Sequence, residues 1–231
     1  MISFVVPAYN EEKCLGAALE AIHAAARATG LEYEIVVADD ASSDATPAIA
    51  GQGGARVVKV SNRQISKTRN DGAHASTGER LIFVDADTLV TPEVVRAALA
   101  ALDAGAVGGG AAAVFEEHAP GWAHFSIRFV VGAMRLMNLA AGCFIYCRRD
   151  AFEAAGGFDP EIFAGEEIWL SLALRKQGPF VMLREQVVTS PRKFKGRTAW
   201  QTLWLALKLL ARSPAGIRRR EHASFWYDGK R

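Results

Sequence analysis

Through the first hundred residues, short apolar runs alternate with segments whose apolar positions recur at helical spacing. Ile2–Val6 reads as a strand, and Glu11–Thr29 as an Ala/Leu-rich helix ending at Gly30. Glu34–Ala38 is a second strand, and Asp44 is placed to cap a short helix through Ala50, where its carboxylate can accept from the first amides. Arg56–Val60, Ser66–Ala75 and Leu81–Val84 follow as strand, helix and strand, and Thr91-Pro92 opens a helix to Leu102. Strand–helix alternation with short connections predicts an α/β three-layer sandwich of the Rossmann-like kind. Its central sheet is mostly parallel, with helices on both faces.

The second half is less regular. Ala106–Phe115 is a Gly/Ala-rich strand that something approaches closely, Trp122–Leu139 a helix, and Gly142–Cys147 a strand. Glu166–Gln177 is a helix, followed by strands at Phe180–Leu183 and Val187–Ser190 and an amphipathic helix at Thr198–Ala211. With no repeat, low-complexity tract or linker, residues 1–231 read as one domain.

Composition narrows the class. Of 231 residues, 50% are apolar and 23% charged, enough to fill a core and incompatible with a disordered or collagen-like chain. The net charge of +2 hides an asymmetry: the 41 residues from Pro191 carry +9 and the first 190 carry −7. Cys143 and Cys147 stand four residues apart in a strand, roughly 13 Å between Cα atoms and beyond disulfide reach. With Cys14 they read as free thiols suited to a reducing cytoplasm. No signal peptide and no run of about 18 apolar residues is apparent, so the expectation is a cytoplasmic protein, at most peripheral at the inner face of a membrane.

In an open parallel sheet, ligands gather beyond the carboxyl ends of the strands. Three of these ends are acidic here: Pro7-Ala8-Tyr9-Asn10-Glu11, Asp39-Asp40 and Asp85-Ala86-Asp87. Turn formation and helix capping account for Asp44 and Glu11. They do not account for Asp85-Ala86-Asp87, a pair of hard oxygen donors straight after an apolar strand. That pair suits Mn²⁺ or Mg²⁺ bridging a diphosphate.

Val6-Pro7-Ala8-Tyr9-Asn10-Glu11-Glu12, Val37-Ala38-Asp39-Asp40-Ala41-Ser42-Ser43-Asp44 and Asp85-Ala86-Asp87 occur in this order, with Arg69-Asn70-Asp71-Gly72 before the third. Gly156-Gly157-Phe158-Asp159 and Gly165-Glu166-Glu167 follow. Together, over residues 1–190, these segments resemble the family 2 glycosyltransferases of the GT-A fold. The resemblance implies an inverting transfer from a nucleotide-diphosphate sugar, a UDP-sugar for preference, to a carbohydrate or lipid-linked acceptor hydroxyl. Residues 1–105 would form the nucleotide-binding half, 106–190 the acceptor half and 191–231 a basic extension.

The resemblance also implies roles. Tyr9 would stack on the base, with Pro7, Ala8 and Glu11 lining the pocket. Asp40 is favoured to accept from a base N–H, with Asp39 the alternative. Arg69 and Asn70 would reach ribose and diphosphate. Lys67 either joins them or is a solvated helix-start lysine. Asp85 would face the ribose or the metal, and Asp87 would bind the metal. The general base would come from Glu166-Glu167, by position Glu167 with Glu166 in support; the family more commonly has Asp there. Two glutamates would equally complement a helix N-terminus.

Other candidates are weaker. Gly108-Gly109-Gly110 fits close approach to a sugar or a tightly packed strand. Trp122, His124 and Arg128 could line an acceptor groove, His222 could be a late metal ligand, and Trp169 is expected to pack its helix. Arg192 and Lys193 could reach a phosphate. Residues 198–220, with Trp200 and Trp204 on one stripe, either pack on the domain or meet a membrane. The acidic body argues against a nucleic-acid partner. The rivals are a nucleotidyltransferase, which would show a Gly-rich loop after its first strand, and a catalytically silent nucleotide-sugar-binding module.

Overall fold

The computed structural model describes residues 1–115, 139–140, 142–163 and 165–190. Strand β1, Ile2–Ala8, is buried along its whole length, as befits a strand covered on both faces. It lies between β2 (Tyr33–Asp40) and β4 (Arg80–Val84), and β3 (Arg56–Val60) extends the sheet beyond β2. The order is β3-β2-β1-β4-β7-β6-β8-β5, with β5 at Thr88–Leu89, β6 at Gly108–Phe115, β7 at Phe144–Arg148 and β8 at Phe180–Thr189. Only β7 and β5 run against the other six strands, so the sheet is mostly parallel as expected.

Alternation along β1 sorts its side chains between two cores. Phe4 and Val6 join α1 (Leu15–Arg27) and α4 (Pro92–Asp103), which press Leu15, Leu19, Ile22, Val95 and Leu99 onto one face. Val5 joins Phe83, Ile145, Phe152, Phe158 and Leu170 on the other, closed by α5 (Arg149–Ala154) and α6 (Glu166–Arg175). On this second face α3 (Ile65–Ala75) sits almost against the sheet, because Gly72 has no side chain. A Cβ there would lie 2.6 Å from Val5 Cγ1 and 3.4 Å from Ala38 Cβ.

Several boundaries move. Pro7 is within β1 rather than beyond it. The β1–β4 ladder stops at Val5, so the N–H that Pro7 lacks has no strand partner to lose on that side. The short helix α2 (Thr46–Gln52) starts two residues after Asp44, whose Oδ1 still accepts from Thr46 N at 3.0 Å. The two predicted strands after α6 are one, β8. Its polar Arg184-Glu185-Gln186 stretch is a register shift against Gly110 and Ala112 of β6, not a turn. Gly108–Gly110 pack against neighbouring backbone: a Cβ on Gly109 would lie 1.9 Å from Val181 O. The three cysteines are free thiols. Among the described residues no helix is long and apolar enough to cross a membrane. Trp122, His124, Arg128, Arg192, Lys193, His222, the expected helix at 198–211 and all of the expected helix at 122–139 but Leu139, which is not helical, lie outside the described residues.

Candidate active site

Three non-glycine residues among those described have left-handed backbones: Asn10 (φ 53), Ala41 (φ 55) and Arg63 (φ 50). They follow β1, β2 and β3 respectively, side by side on the carboxyl edge of the sheet. Such conformations cost of order 1–3 kcal/mol each and persist only where the surroundings impose them. Here the loops hold one another. Asn10 N donates to Ser42 Oγ (2.9 Å) and Ser43 N to Asn10 Oδ1 (2.8 Å). Glu11 N donates to Thr46 Oγ1 (2.7 Å), Glu12 N to Asp44 Oδ2 and Ala45 N to Glu12 Oε2 (both 3.2 Å).

The adjacent carboxylates ending β2 point to opposite faces of the sheet and have different surroundings. Asp40 Oδ1 accepts from Asn62 N (2.7 Å) and Arg63 N (2.9 Å), and its Oδ2 from Thr68 Oγ1 (3.2 Å). Asp40 is thus taken up by the chain's own donors, contrary to its expected use on a base. Asp39, 3% exposed and in register with Ala8, has a buried Oδ1 that accepts no hydrogen bond. A buried acceptor left unmet costs about 1–3 kcal/mol, a cost that a donor from outside the chain would offset. Tyr9, partly exposed beside it, carries the Arg63 guanidinium 4.4 Å from its ring centroid. Glu11 is buried and Lys67 is exposed.

Arg69 is the hub of the site. Fully buried on α3, it donates from Nη1 to Glu166 Oε1 (2.6 Å) and from Nη2 to Asp85 Oδ1 and to Gly142 O (both 2.8 Å). The Phe158 ring lies 5.2 Å from its guanidinium carbon. Burial works against the Arg69 charge, but the Asp85 carboxylate, then Glu166 and Glu167, hold it firmly protonated. One residue thereby ties the end of β4, the Gly142 loop and the start of α6. Asn70, expected at the ribose, instead holds the Phe158 backbone: Nδ2 donates to Phe158 O (2.8 Å), and Oδ1 accepts from Phe158 N (2.9 Å).

Helix α6 begins after Gly165, whose left-handed φ of 76 turns the chain into the helix. Glu166 and Glu167 occupy its first turn, where the helix dipole favours negative charge. Their environments then diverge. Glu166 is bonded to Arg69, whereas the Glu167 carboxyl lies against Gly142, where a Cβ would come within 3.2 Å of its Cδ. Desolvation, reinforced by the Glu166 charge, pushes the Glu167 carboxyl up to about 8. Trp169, expected to pack its helix, is an exposed large apolar side chain.

Asp85 and Asp87 flank buried Ala86 in the loop after β4. That loop is fixed by Asp85 N donating to Cys143 O (3.2 Å) and Ser190 N to Asp87 O (3.2 Å). Among the described residues no group of three or more His, Cys, Asp or Glu side chains is placed to hold a metal ion by itself. The pair would therefore hold a cation together with oxygens from another source, as a diphosphate supplies. The donor set fits Mg²⁺ or Mn²⁺ in kind. Arg63, Gln64 and Gly142 are the site residues that the motifs do not flag. Gln64 is buried, and its Nε2 donates to the Pro160 and Ile162 carbonyls. Arg63 follows a strand end, the same signal that singles out Tyr9 and Asp39, but an arginine there reads as solvated.

A family model described as Glycosyl transferase family 2 matches residues 3–154. An undecaprenyl-phosphate 4-deoxy-4-formamido-L-arabinose transferase of Edwardsiella ictaluri is 35% identical over 116 residues, covering 45% of this chain and 34% of that protein. The match thus takes in about a third of that relative's length. The structure resembles that of S. aureus TarS 1-349 in complex with UDP-GlcNAc (TM-score 0.66, 19% identity, 97% of this chain and 71% of that one). It also resembles the mannosyltransferase PcManGT from Pyrobaculum calidifontis in complex with GDP-Man and Mn2+ (TM-score 0.66, 19% identity, 97% and 69%). At that identity these likenesses speak to the fold, which is the one expected from the sequence. The family match spans most of the chain, including the first three strand ends and the Asp85-Ala86-Asp87 loop: this protein belongs to glycosyl transferase family 2.

Proposed function

We propose that the chain transfers a sugar, with inversion, from a UDP-sugar to a hydroxyl of a carbohydrate or lipid-linked acceptor. The observation that carries this reading is the division of labour around Arg69. The guanidinium neutralises Asp85 and Glu166 and leaves the Glu167 carboxyl at Gly142, with an affinity for protons well above that of an ordinary glutamate. Glu167 is then the base that takes the acceptor hydroxyl proton as its oxygen attacks the anomeric carbon. Glu166 positions Arg69.

On the donor side, Asp39 takes the role expected of Asp40. Its orphan Oδ1 accepts from the base N–H, while Tyr9 stacks and Pro7, Ala8 and Glu11 shape the pocket. Asp87 and Asp85 would hold Mn²⁺ or Mg²⁺ against the diphosphate, and the ion's charge would stabilise the departing nucleoside diphosphate. Support for a divalent ion comes from the Mn2+ complex of the Pyrobaculum mannosyltransferase, and for a UDP-sugar from the S. aureus UDP-GlcNAc complex. The name of the Edwardsiella relative supports a lipid-linked acceptor. A peripheral membrane contact through 198–220 agrees with that acceptor and with the +9 charge of the last 41 residues.

The test is calorimetric titration of UDP-, GDP-, CDP- and dTDP-sugars with and without Mn²⁺, followed by turnover with candidate acceptors. UDP-sugar binding tightened by Mn²⁺ and release of UDP in the presence of acceptor are expected. Binding without turnover for every acceptor would instead favour a silent nucleotide-sugar-binding module.

A further inference from the structure

The Tyr9 ring is not open to a base on both faces, because the Arg63 guanidinium is stacked over it at 4.4 Å. Arg63 is exposed, yet its backbone is held at φ 50, a conformation that a surface arginine has no intrinsic reason to adopt. The cause is Asp40. Its buried Oδ1 gathers the amides of Asn62 and Arg63, and Thr68 fixes its other oxygen, so the β3–α3 loop is bent toward the end of β1. A carboxylate expected to meet a ligand thus aims a neighbouring cation at Tyr9. The Asp39 Oδ1 that lacks any partner lies on this same edge, where Ala8, Asp39 and Lys59 are in register across β1, β2 and β3.

Building on the nucleotide-sugar reading above, we propose that Arg63 is a specificity-determining residue of the donor site, covering the base and, with Asp39, selecting its imide edge. The chemistry is that of donor and acceptor inventories. A guanidinium offers only donors, and an ionised carboxylate offers only acceptors. Together they match an N–H flanked by carbonyl oxygens, the edge shared by uracil and thymine and half met by guanine. Cytosine turns a bare ring nitrogen toward the carboxylate and an amino group toward the guanidinium, so both contacts become like against like. Arg63 swings off the Tyr9 ring to let a base stack there and closes over it, so that its planar cation supplies the second stacking surface and the donors.

The experiment is calorimetric binding of UDP and CDP to the full chain and to its R63A, R63K, R63G and D39N variants, with thermal melting of each. R63A is expected to weaken UDP about ten-fold and CDP by less than about three-fold, the scale of one cation–π contact with a polar bond. R63K is expected to stay close to R63A, since an ammonium cannot stack as a plane. R63G removes the left-handed strain, so it is expected to melt no lower than wild type while binding UDP as weakly as R63A. This separates recognition from folding. A UDP affinity within about two-fold of wild type in R63A would overturn the proposal. So would equal losses for UDP and CDP, which would place Arg63 on the phosphates; in either case the nucleotide reading would stand. If the wild-type chain binds neither nucleotide and D39N changes nothing, the nucleotide reading fails, and the proposal with it.

Discussion

Glu166 and Glu167 are chemically identical neighbours that differ because one meets a buried guanidinium and the other a glycine. Glu167→Gln is expected to keep donor affinity within about two-fold and to lower kcat at least 10²-fold, the range for removing a positioned general base. Titration of UDP-sugar and initial rates measured on the same preparation check this. If Glu166→Gln shows that pattern and Glu167→Gln stays active, the assignment is reversed. Arg69 has a different signature. Arg69→Met leaves buried Glu166 and half-buried Asp85 without their shared cation and is expected to cost about 3–5 kcal/mol of stability, read from the urea midpoint. At this scale the sequence is legible by residue type but not by partner. Alternation along a strand says that Asp39 and Asp40 face opposite ways, yet not which face carries Asn62, Arg63 and Thr68. Asn70 likewise reads as a ligand, because nothing local reveals that the Phe158 backbone will occupy its amide.

Elements were legible wherever one periodicity ran unbroken. β3 matches its expected range, and β1, β2, β4, α3 and α4 shift by no more than two residues at either end. Failures have physical causes. Six-residue α5 is too short to display a repeat, and two-residue β5 exists only because β8 pairs with it. β8 reads as two strands because its irregular centre is polar. The placement of α3 was not legible at all, since its buried face consists of Ser66, Thr68, Arg69, Gly72 and Ala73 rather than an apolar stripe. Close packing at Gly72 carries that face. Gly72→Ala is therefore expected to destabilise by about 1–3 kcal/mol through overpacking against Val5, despite up to about 1 kcal/mol of gained helix propensity. Urea denaturation decides the sign. A stabilised variant would mean that α3 can move away from the sheet without loss.

Across the whole molecule, the strained carboxyl edge of the sheet is balanced by a clamp at the opposite ends of the same strands. Glu34, at the start of β2, accepts at Oε1 from Ser3 Oγ (2.7 Å) and Thr77 Oγ1 (2.9 Å) and at Oε2 from Arg56 Nη2 (2.8 Å). Ser3 Oγ accepts in turn from Gly78 N (2.7 Å), so β1, β2, β3 and the turn into β4 converge on one carboxylate. Burial alone would raise its pKa, but the Thr77 amide, Arg56 and the two hydroxyls hold it at about 2, against an ordinary value of 4.5. A carboxyl more acidic in the folded chain than in the unfolded one stabilises the fold fully above pH 4.5. That contribution is lost as pH falls toward 2, because the unfolded state then takes up the proton more readily. Glu34→Gln is expected to lower stability at pH 7 by about 1–3 kcal/mol, the range for hydrogen bonds to a charged group. It should also flatten the decline between pH 4.5 and 2, since an amide does not titrate. Parallel declines in wild type and variant, measured by urea unfolding at pH steps across that window, would show that acid sensitivity arises elsewhere. Arg56→Met is expected to do less than Glu34→Gln. Its side chain is 48% exposed, and an ion pair reaching that far into water contributes less than the short Thr77 amide bond and the buried Ser3 hydroxyl together. If the clamp works in this way, acid should loosen the molecule from the edge remote from the nucleotide loops. Protection of the β1 and β2 amides from hydrogen exchange would then fall first near Ser3 and Glu34, and only later near Ala8 and Asp40.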